Sequence, residues 1–247
     1  MMLSGKKLSA IFAIVFVSCF FLFLPASVVL SWAGVNTMFK YRSVEGNFWH
    51  MKVIEASVRG FYLGDIDYKP SARVASGSLA GNISYRGAGR TATFDFNLED
   101  NQILHLQDAV IGVPVNVVDL PLPISGILSA RAEQFSYDIS RGCISGELFI
   151  RTNMLEKVFE GLPWKAPVLE GEAVCDAGVL KTNLIGENEV ASIRLNVFWQ
   201  GTPYMNAAIE VTPKAGTGAE TQLQGMMQLA GLVKRGDAWQ KQLTIRF

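Results

Sequence analysis

Histidine is nearly absent, with only His50 and His105, and cysteine is limited to Cys19, Cys143 and Cys175. Zinc and related centres draw three or four such ligands into one place, so no metal site is expected. Neither sign of charge is in excess: 22 Lys plus Arg balance 22 Asp plus Glu. A general nucleic-acid binder needs a basic surplus to neutralise phosphates, so no nucleic acid is expected as a partner. No G-x-S-x-G, H-E-x-x-H or G-x-x-x-x-G-K-[ST] pattern occurs, and no low-complexity linker divides the chain. Disorder is excluded by the other side of the composition, 49% hydrophobic residues in a chain of 247, which is enough for one large domain or two small ones.

One long hydrophobic run is present. Leu8 to Leu30, LSAIFAIVFVSCFFLFLPASVVL, is uncharged over 23 residues. A helix of that length reaches about 35 Å, more than a hydrocarbon core of roughly 30 Å. Lys6 and Lys7 precede the run and no charge follows until Lys40. This asymmetry predicts a cytoplasmic N-terminus (1–7), a transmembrane helix (8–30) and a domain across the membrane (34–247). Pro25 stands near the far end, where a kink or stop is tolerable, and Trp32 suits the outer interface. A cleaved signal peptide is the rival reading, with Ala33 as the nearest cleavage candidate. Lys6 and Lys7 are the only charges in residues 1–33, so the remainder carries two net negative charges, an ordinary soluble surface.

Alternation dominates after residue 45. Ile54, Ala56 and Val58 alternate with Glu55, Ser57 and Arg59; Phe94, Phe96 and Leu98 with Thr93, Asp95 and Asn97. Leu104 and Leu106 flank His105; Phe135, Tyr137 and Ile139 alternate with Ser136, Asp138 and Ser140. The same period runs through Ile193, Leu195, Val197 and Trp199, through Ile209 and Val211, and through Leu243, Ile245 and Phe247. Period two with glycine-rich breaks predicts a mainly β fold, a large curved antiparallel sheet of about ten or more strands. Two short helices are expected. Asn153 would cap Met154–Phe159, stopped by Gly161 and Pro163, and Leu223, Met226, Met227 and Ala230 make one apolar stripe ended by Gly231. Three prolines make Val113–Pro123 a connector rather than a central strand.

Candidate chemistry is sparse. Gly87-Ala88-Gly89-Arg90-Thr91-Ala92 matches a dinucleotide fingerprint, but a strand pattern follows where a helix is required, so a hairpin turn is expected. His50 and His105 could each act as a general base, yet no nucleophile pattern accompanies either. Asp65 and Asp67 fall on one strand face, as paired carboxylates or as ordinary edge charges. Asn82-Ile83-Ser84 is a sequon by pattern only. No catalytic, cofactor-binding or metal-binding residue is therefore assigned. Cys19 is expected to pack inside the apolar segment. Cys143 and Cys175 lie in the exported part, beside glycine-marked turns. An oxidising compartment favours a disulfide between them, with two separate buried thiols as the alternative.

With these parts in place, the chain resembles the general secretion pathway protein N family (GspN) of type II secretion systems. Val44-Glu45-Gly46-Asn47-Phe48-Trp49 is similar to the family's V-x-G-[TN]-x-W element, here followed by Met51 where a glycine is frequent. Leu63-Gly64-Asp65-Ile66-Asp67-Tyr68 is similar to its next strand, with Tyr68 where tryptophan is usual. Ser145-Gly146-Glu147-Leu148 and Leu169-Glu170-Gly171-Glu172 resemble its repeated strand starts. Cys143 and Cys175 resemble its cysteine pair, and Leu223 to Gly231 its C-terminal helix ending, with Ala230 inserted. The resemblance implies a non-enzymatic, single-pass protein of the bacterial inner membrane with its bulk in the periplasm. It would assist export of folded proteins across the outer membrane through contacts with the inner-membrane platform, the secretin and inner membrane lipid. The family is also distantly similar to AsmA-like envelope proteins. That implies the alternative of a hydrophobic β-groove that binds or transfers lipid, lined by Phe94, Phe96, Phe135, Tyr137 and Trp199. A sealed core would use the same residues.

Overall fold

The computed structural model describes residues 12, 15–16, 23–32, 39–58, 61–76, 78–100, 102–117, 124–138, 140–200, 204–216 and 220–246. Two compact units divide the chain, residues 1–88 and 89–247. Both are antiparallel β-structure, as the alternation predicts. Fifteen strands are present among the described residues.

The first unit contains helix α1 (Ala26–Trp32) and strands β1 (Phe39–Lys40), β2 (Ser43–Asn47), β3 (His50–Val58), β4 (Phe61–Pro70) and β5 (Leu79–Gly87). β1 and β2 lie in succession along one side of β3; β4 and β5 follow on the other. Its core is Ala26, Met51, Val53 and Ala56, with Leu30, Tyr41, Val44, Ile66 and Tyr68 packed against it. Of the expected inward row Ile54, Ala56, Val58, Ala56 is buried as expected and Ile54 is corrected. The β3–β4 pairing shifts between Val53 and Ala56, with Glu55 at φ 52, so Val53 and Ala56 are both buried while Ile54 is only half-buried. One inserted residue reverses the facing of everything beyond it.

Most of the 8–30 run, Cys19 included, lies outside the described residues. Phe12, Val15, Phe16 and Phe23 are helical and exposed, and no described helix is long and apolar enough to cross a membrane. Leu24 and Pro25 are not helical. Leu24 accepts a hydrogen bond from the Phe48 N–H at 2.9 Å and Pro25 bridges Asn47. α1 is thus a separate helix that packs on the sheet through Ala26, which is 1% exposed.

The second unit contains β6 (Arg90–Glu99), β7 (Ile103–Val117), β8 (Ile124–Asp138), β9 (Gly142–Thr152), β10 (Leu169–Asp176), β11 (Val179–Glu187), β12 (Ala191–Trp199), β13 (Tyr204–Pro213), helix α2 (Glu220–Leu229), β14 (Val233–Arg235) and β15 (Ala238–Arg246). β6 to β13 are neighbours in chain order, then β15 and β14. Register assembles one apolar face. Ile193 lies opposite Gly186 and Val211, and Leu195 opposite Leu184 and Ile209. Phe96 lies opposite Leu106, and Leu106 opposite Phe135. The same pairings put Asn97, His105 and Ser136 on the other face, together with Asn196 and Asn183.

Two elements differ from expectation. Val113–Val117 continues β7 and pairs with β8 as far as Val117↔Ile124; residues 118–123 lie outside the described set. Pro114 is tolerated because β6 pairing ends at Thr91↔Gly112, so its missing N–H costs no bond on that side. The helix expected at Met154–Phe159 is only a 3₁₀ turn at Glu156–Val158. Asn153 is not its cap: its Oδ1 accepts from the Ile127 N–H at 2.7 Å, tying the turn to β8. Six residues ahead of Gly161 are too few to propagate an α-helix. The C-terminal helix forms as expected. Gly231 has φ 72, its N–H donates to Gln228 O at 2.9 Å and the Leu232 N–H to Met227 O at 2.9 Å, the paired bonds of a Schellman ending.

Candidate functional site

The apolar face of the second unit is concave. Tyr137 on β8 and Trp199 on β12 stack with ring centroids 6.1 Å apart, although β9, β10 and β11 lie between those strands. At about 4.8 Å per strand a flat sheet would hold them roughly 19 Å apart. The sheet therefore curls over its own apolar side. Regular β9–β10 pairing stops at Glu147↔Val174, and beyond it Cys143 bridges Gly178 in the β10–β11 turn. Gly142, at φ 92, allows that approach: a Cβ there would stand 2.6 Å from Gly178 O.

Cys143 and Cys175 form a disulfide at this point, with Cα atoms 5.8 Å apart. Cys143 is buried with Ala109, Ala132 and Phe135, and Phe94, Leu106, Tyr137, Leu148, Cys175 and Leu180 pack around them. Four of the five residues expected to line a groove, Phe94, Phe135, Tyr137 and Trp199, thus meet at this end of the curl. Phe96 lies beside Phe94, ring centroids 6.4 Å apart.

The other end is roofed by α2 and the segment around 153–166, over Leu155, Phe159, Leu169, Leu184, Val190, Ile193, Val211, Leu223, Met227 and Trp239. Roof and sheet do not close completely. A cavity of about 100 Å³ remains, bounded by Val158 and Phe159, by Leu223, Met226 and Met227 of α2, and by Ile193, Ile209 and Leu243 of the sheet. Lys241 is the only charged side chain on its wall among the described residues. Its ammonium is spent on Ala230 O at 2.6 Å, where the helix C-terminus offers unsatisfied carbonyls and negative dipole. The signal for Lys241 is present in the sequence, a cation on the inward parity of Trp239 and Leu243, but nothing local says which face is inward. Leu155, Phe159 and Val190, which sit in turns, carry no periodic signal at all.

The candidate acid–base residues are dispersed. His50 Nε2 lies 3.0 Å from Asp67 Oδ2 at the tip of the β2–β3 hairpin. Asp65 instead accepts the Glu55 N–H at 3.1 Å and so holds the bulge. His105 lies between Ser136 Oγ at 2.9 Å and Glu99 Oε2 at 3.0 Å, on the polar face. Ala88 (φ 50) and Gly89 (φ 76) form a tight turn and β6 follows, so the glycine-rich stretch presents no helix N-terminus to a phosphate. Asn82 and Ser84 lie in β5. No cluster of three His, Cys, Asp or Glu able to hold a metal occurs among the described residues.

Asp138, expected on the wet face, is buried at the β8–β9 turn. Its Oδ1 accepts from Ser140 Oγ at 2.6 Å, Ser140 N at 2.7 Å and Arg141 N at 3.0 Å. The Ser140 hydroxyl, then the backbone N–H groups and the Arg141 charge, hold its carboxyl below the usual carboxylate range, against an opposing contribution from burial. Tyr68 is shifted the other way, its phenol raised by burial.

The opposite strand face carries a second feature. Val110, Arg131, Phe149 and Glu172 stand opposite one another on four successive strands, and Glu147 faces Val174. Val110, Phe149 and Val174 are 48%, 46% and 42% exposed. No family model matches this chain, and neither does any curated protein or solved structure.

Proposed function

We propose that the chain is a non-enzymatic, single-pass component of the bacterial inner membrane. In this reading it belongs to a type II secretion system and assists export of folded periplasmic proteins by structural contacts. The observation that carries the contact role is the row Val110–Arg131–Phe149–Glu172 with neighbouring Val174, in which large apolar side chains are left in water among charged ones. Exposed apolar groups ringed by charges are the composition of a protein interface. A second contact mode is strand addition: β14 pairs only Ala238–Gln240 of β15, leaving the outer edge of Lys241–Arg246 open among the described residues. The secretion assignment rests on the ordered resemblance, whose glycines have steric reasons here. A Cβ at Gly46 would stand 2.1 Å from His50 O, and one at Gly171 2.0 Å from Asn183 O.

The test is deletion followed by complementation. Deletion leaves the secreted proteins in the periplasm, the native chain restores export, and Phe149→Asp folds but does not restore it. Normal export by the deletion strain, in a genome without a second copy, refutes the reading. The concave apolar face and its cavity favour one further possibility, an AsmA-like groove that takes an acyl chain. Extraction of the purified full-length chain would then yield stoichiometric phospholipid, lost on filling the cavity with Ala230→Phe.

A further inference from the structure

We infer that the β2–β3 hairpin tip, Asn47–His50, is a second membrane contact, seated in the lipid headgroup layer beside the point where the N-terminal segment leaves the bilayer. The inference rests on the reading of that segment as a membrane anchor and adds a surface to it.

The helical stretch that holds Phe23 ends ahead of Leu24. Because Leu24 and Pro25 are not helical, a helix from Leu8 could extend only to Phe23 and would reach about 24 Å, against a hydrocarbon core of roughly 30 Å. A short span draws its flanking residues into the interface. The flanking residues here are bonded to the hairpin: Phe48 N–H to Leu24 O at 2.9 Å, and Asn47 bridged to Pro25. Whatever depth Leu24 takes, the tip shares it.

The tip has the chemistry for that depth. Phe48 and Trp49 pack edge to face with centroids 5.0 Å apart, and Trp49 is 38% exposed. Phe23, on the helical side of the junction, is 78% exposed. Aromatic side chains concentrate at the headgroup level of membranes. No acidic residue stands within Asn47–His50. The tip is also held rigid. Asn47 Oδ1 accepts from the N–H groups of Trp49 and His50 at 3.0 and 3.1 Å, and His50 is braced by Asp67. Ordering Trp49 at the interface therefore carries little further entropic cost. On the domain side, Ala26 and Met51 bury the junction, so the first sheet is docked to the membrane rather than tethered to it.

The experiment uses the full chain and its Trp49→Phe variant, reconstituted without other proteins into phosphatidylcholine–phosphatidylglycerol vesicles, with and without dibrominated phosphatidylcholine. The difference between the two emission spectra isolates Trp49 from the remaining tryptophans. The expected result is that this difference emission falls about two-fold in brominated vesicles, as for a side chain at the headgroup level. Flotation of the same vesicles after alkaline extraction separates the two ways to fail. A chain that does not float overturns the anchor and the hairpin contact with it. A chain that floats with Trp49 emission unchanged by bromine leaves the anchor standing and overturns the hairpin contact alone.

Discussion

Removing the disulfide tests whether the curl of the second unit is held by a covalent closure or by packing alone. Cys143 and Cys175 are separated by 32 residues. In the chain-entropy treatment, closing a loop of this size costs the unfolded chain about 12 cal/mol/K, or about 3–4 kcal/mol at 25 °C. The double variant Cys143→Ala/Cys175→Ala also loses one small buried group, since Cys143 is 4% exposed, but alanine keeps the position apolar and the added loss is small beside the loop term. The expected destabilisation is therefore about 3–4 kcal/mol, equivalent to a fall in Tm of very roughly 10 °C for a unit of this size. Trp164, Trp199 and Trp239 lie in the second unit, and Trp32 and Trp49 in the first. Urea unfolding followed by tryptophan emission in a Trp32→Phe/Trp49→Phe background thus reports on the curled sheet. Loss of the Tyr137–Trp199 stack should accompany the shift, seen as a change in Trp199 emission before the main transition. A midpoint change worth less than about 1 kcal/mol would refute the loop-closure reasoning. It would mean that the cluster around Phe135 already holds the two ends together in the unfolded ensemble.

Two other perturbations follow from the packing and the turn. Leu169 is 1% exposed beneath the roof, so Leu169→Ala should cost about 2–5 kcal/mol in the same unfolding assay; a cost below about 1 kcal/mol would mean that the roof collapses onto the gap. Asp138 has a folded pKa held below its usual value, so the stability it supplies is full above about pH 4 and drains away as the pH falls through the folded value. The deficit of Asp138→Asn relative to the native chain should therefore be larger at pH 6 than at pH 3, and an equal deficit at both would show that the Ser140 and Arg141 bonds do not favour the ionised form.

Periodicity was sufficient to locate most strands, because whether a residue faces core or water alternates along a single strand and is written in consecutive residues. It failed where the backbone departs from period two. Glu55 and Asp108 sit at positive φ and displace the pairing on β3 and between β6 and β7; neither residue type announces a bulge. Asp138 looked like a wet alternation partner, yet it is buried because the β8–β9 turn supplies donors from Ser140 and Arg141 that no strand pattern encodes. Asn153 and the Gly161–Pro163 stop read as the two ends of a helix over 154–159, but Phe159 and Leu155 are buried from the ends of a 3₁₀ turn that Asn153 ties across to Ile127.

The amino-acid sequence by itself determined the elements whose causes are local: the alternating strands, the glycine turns, the α2 ending at Gly231, and the apolar run with Lys6 and Lys7 before it. Only the tertiary structure decided the curl that stacks Tyr137 on Trp199, the place of the expected Cys143–Cys175 disulfide at one end of that curl, the cavity under α2 with Lys241 turned to the helix end, and the attachment of the β2–β3 tip to Leu24 and Pro25. Each of these depends on the summed twist and register of several strands, and on contacts between residues tens of positions apart.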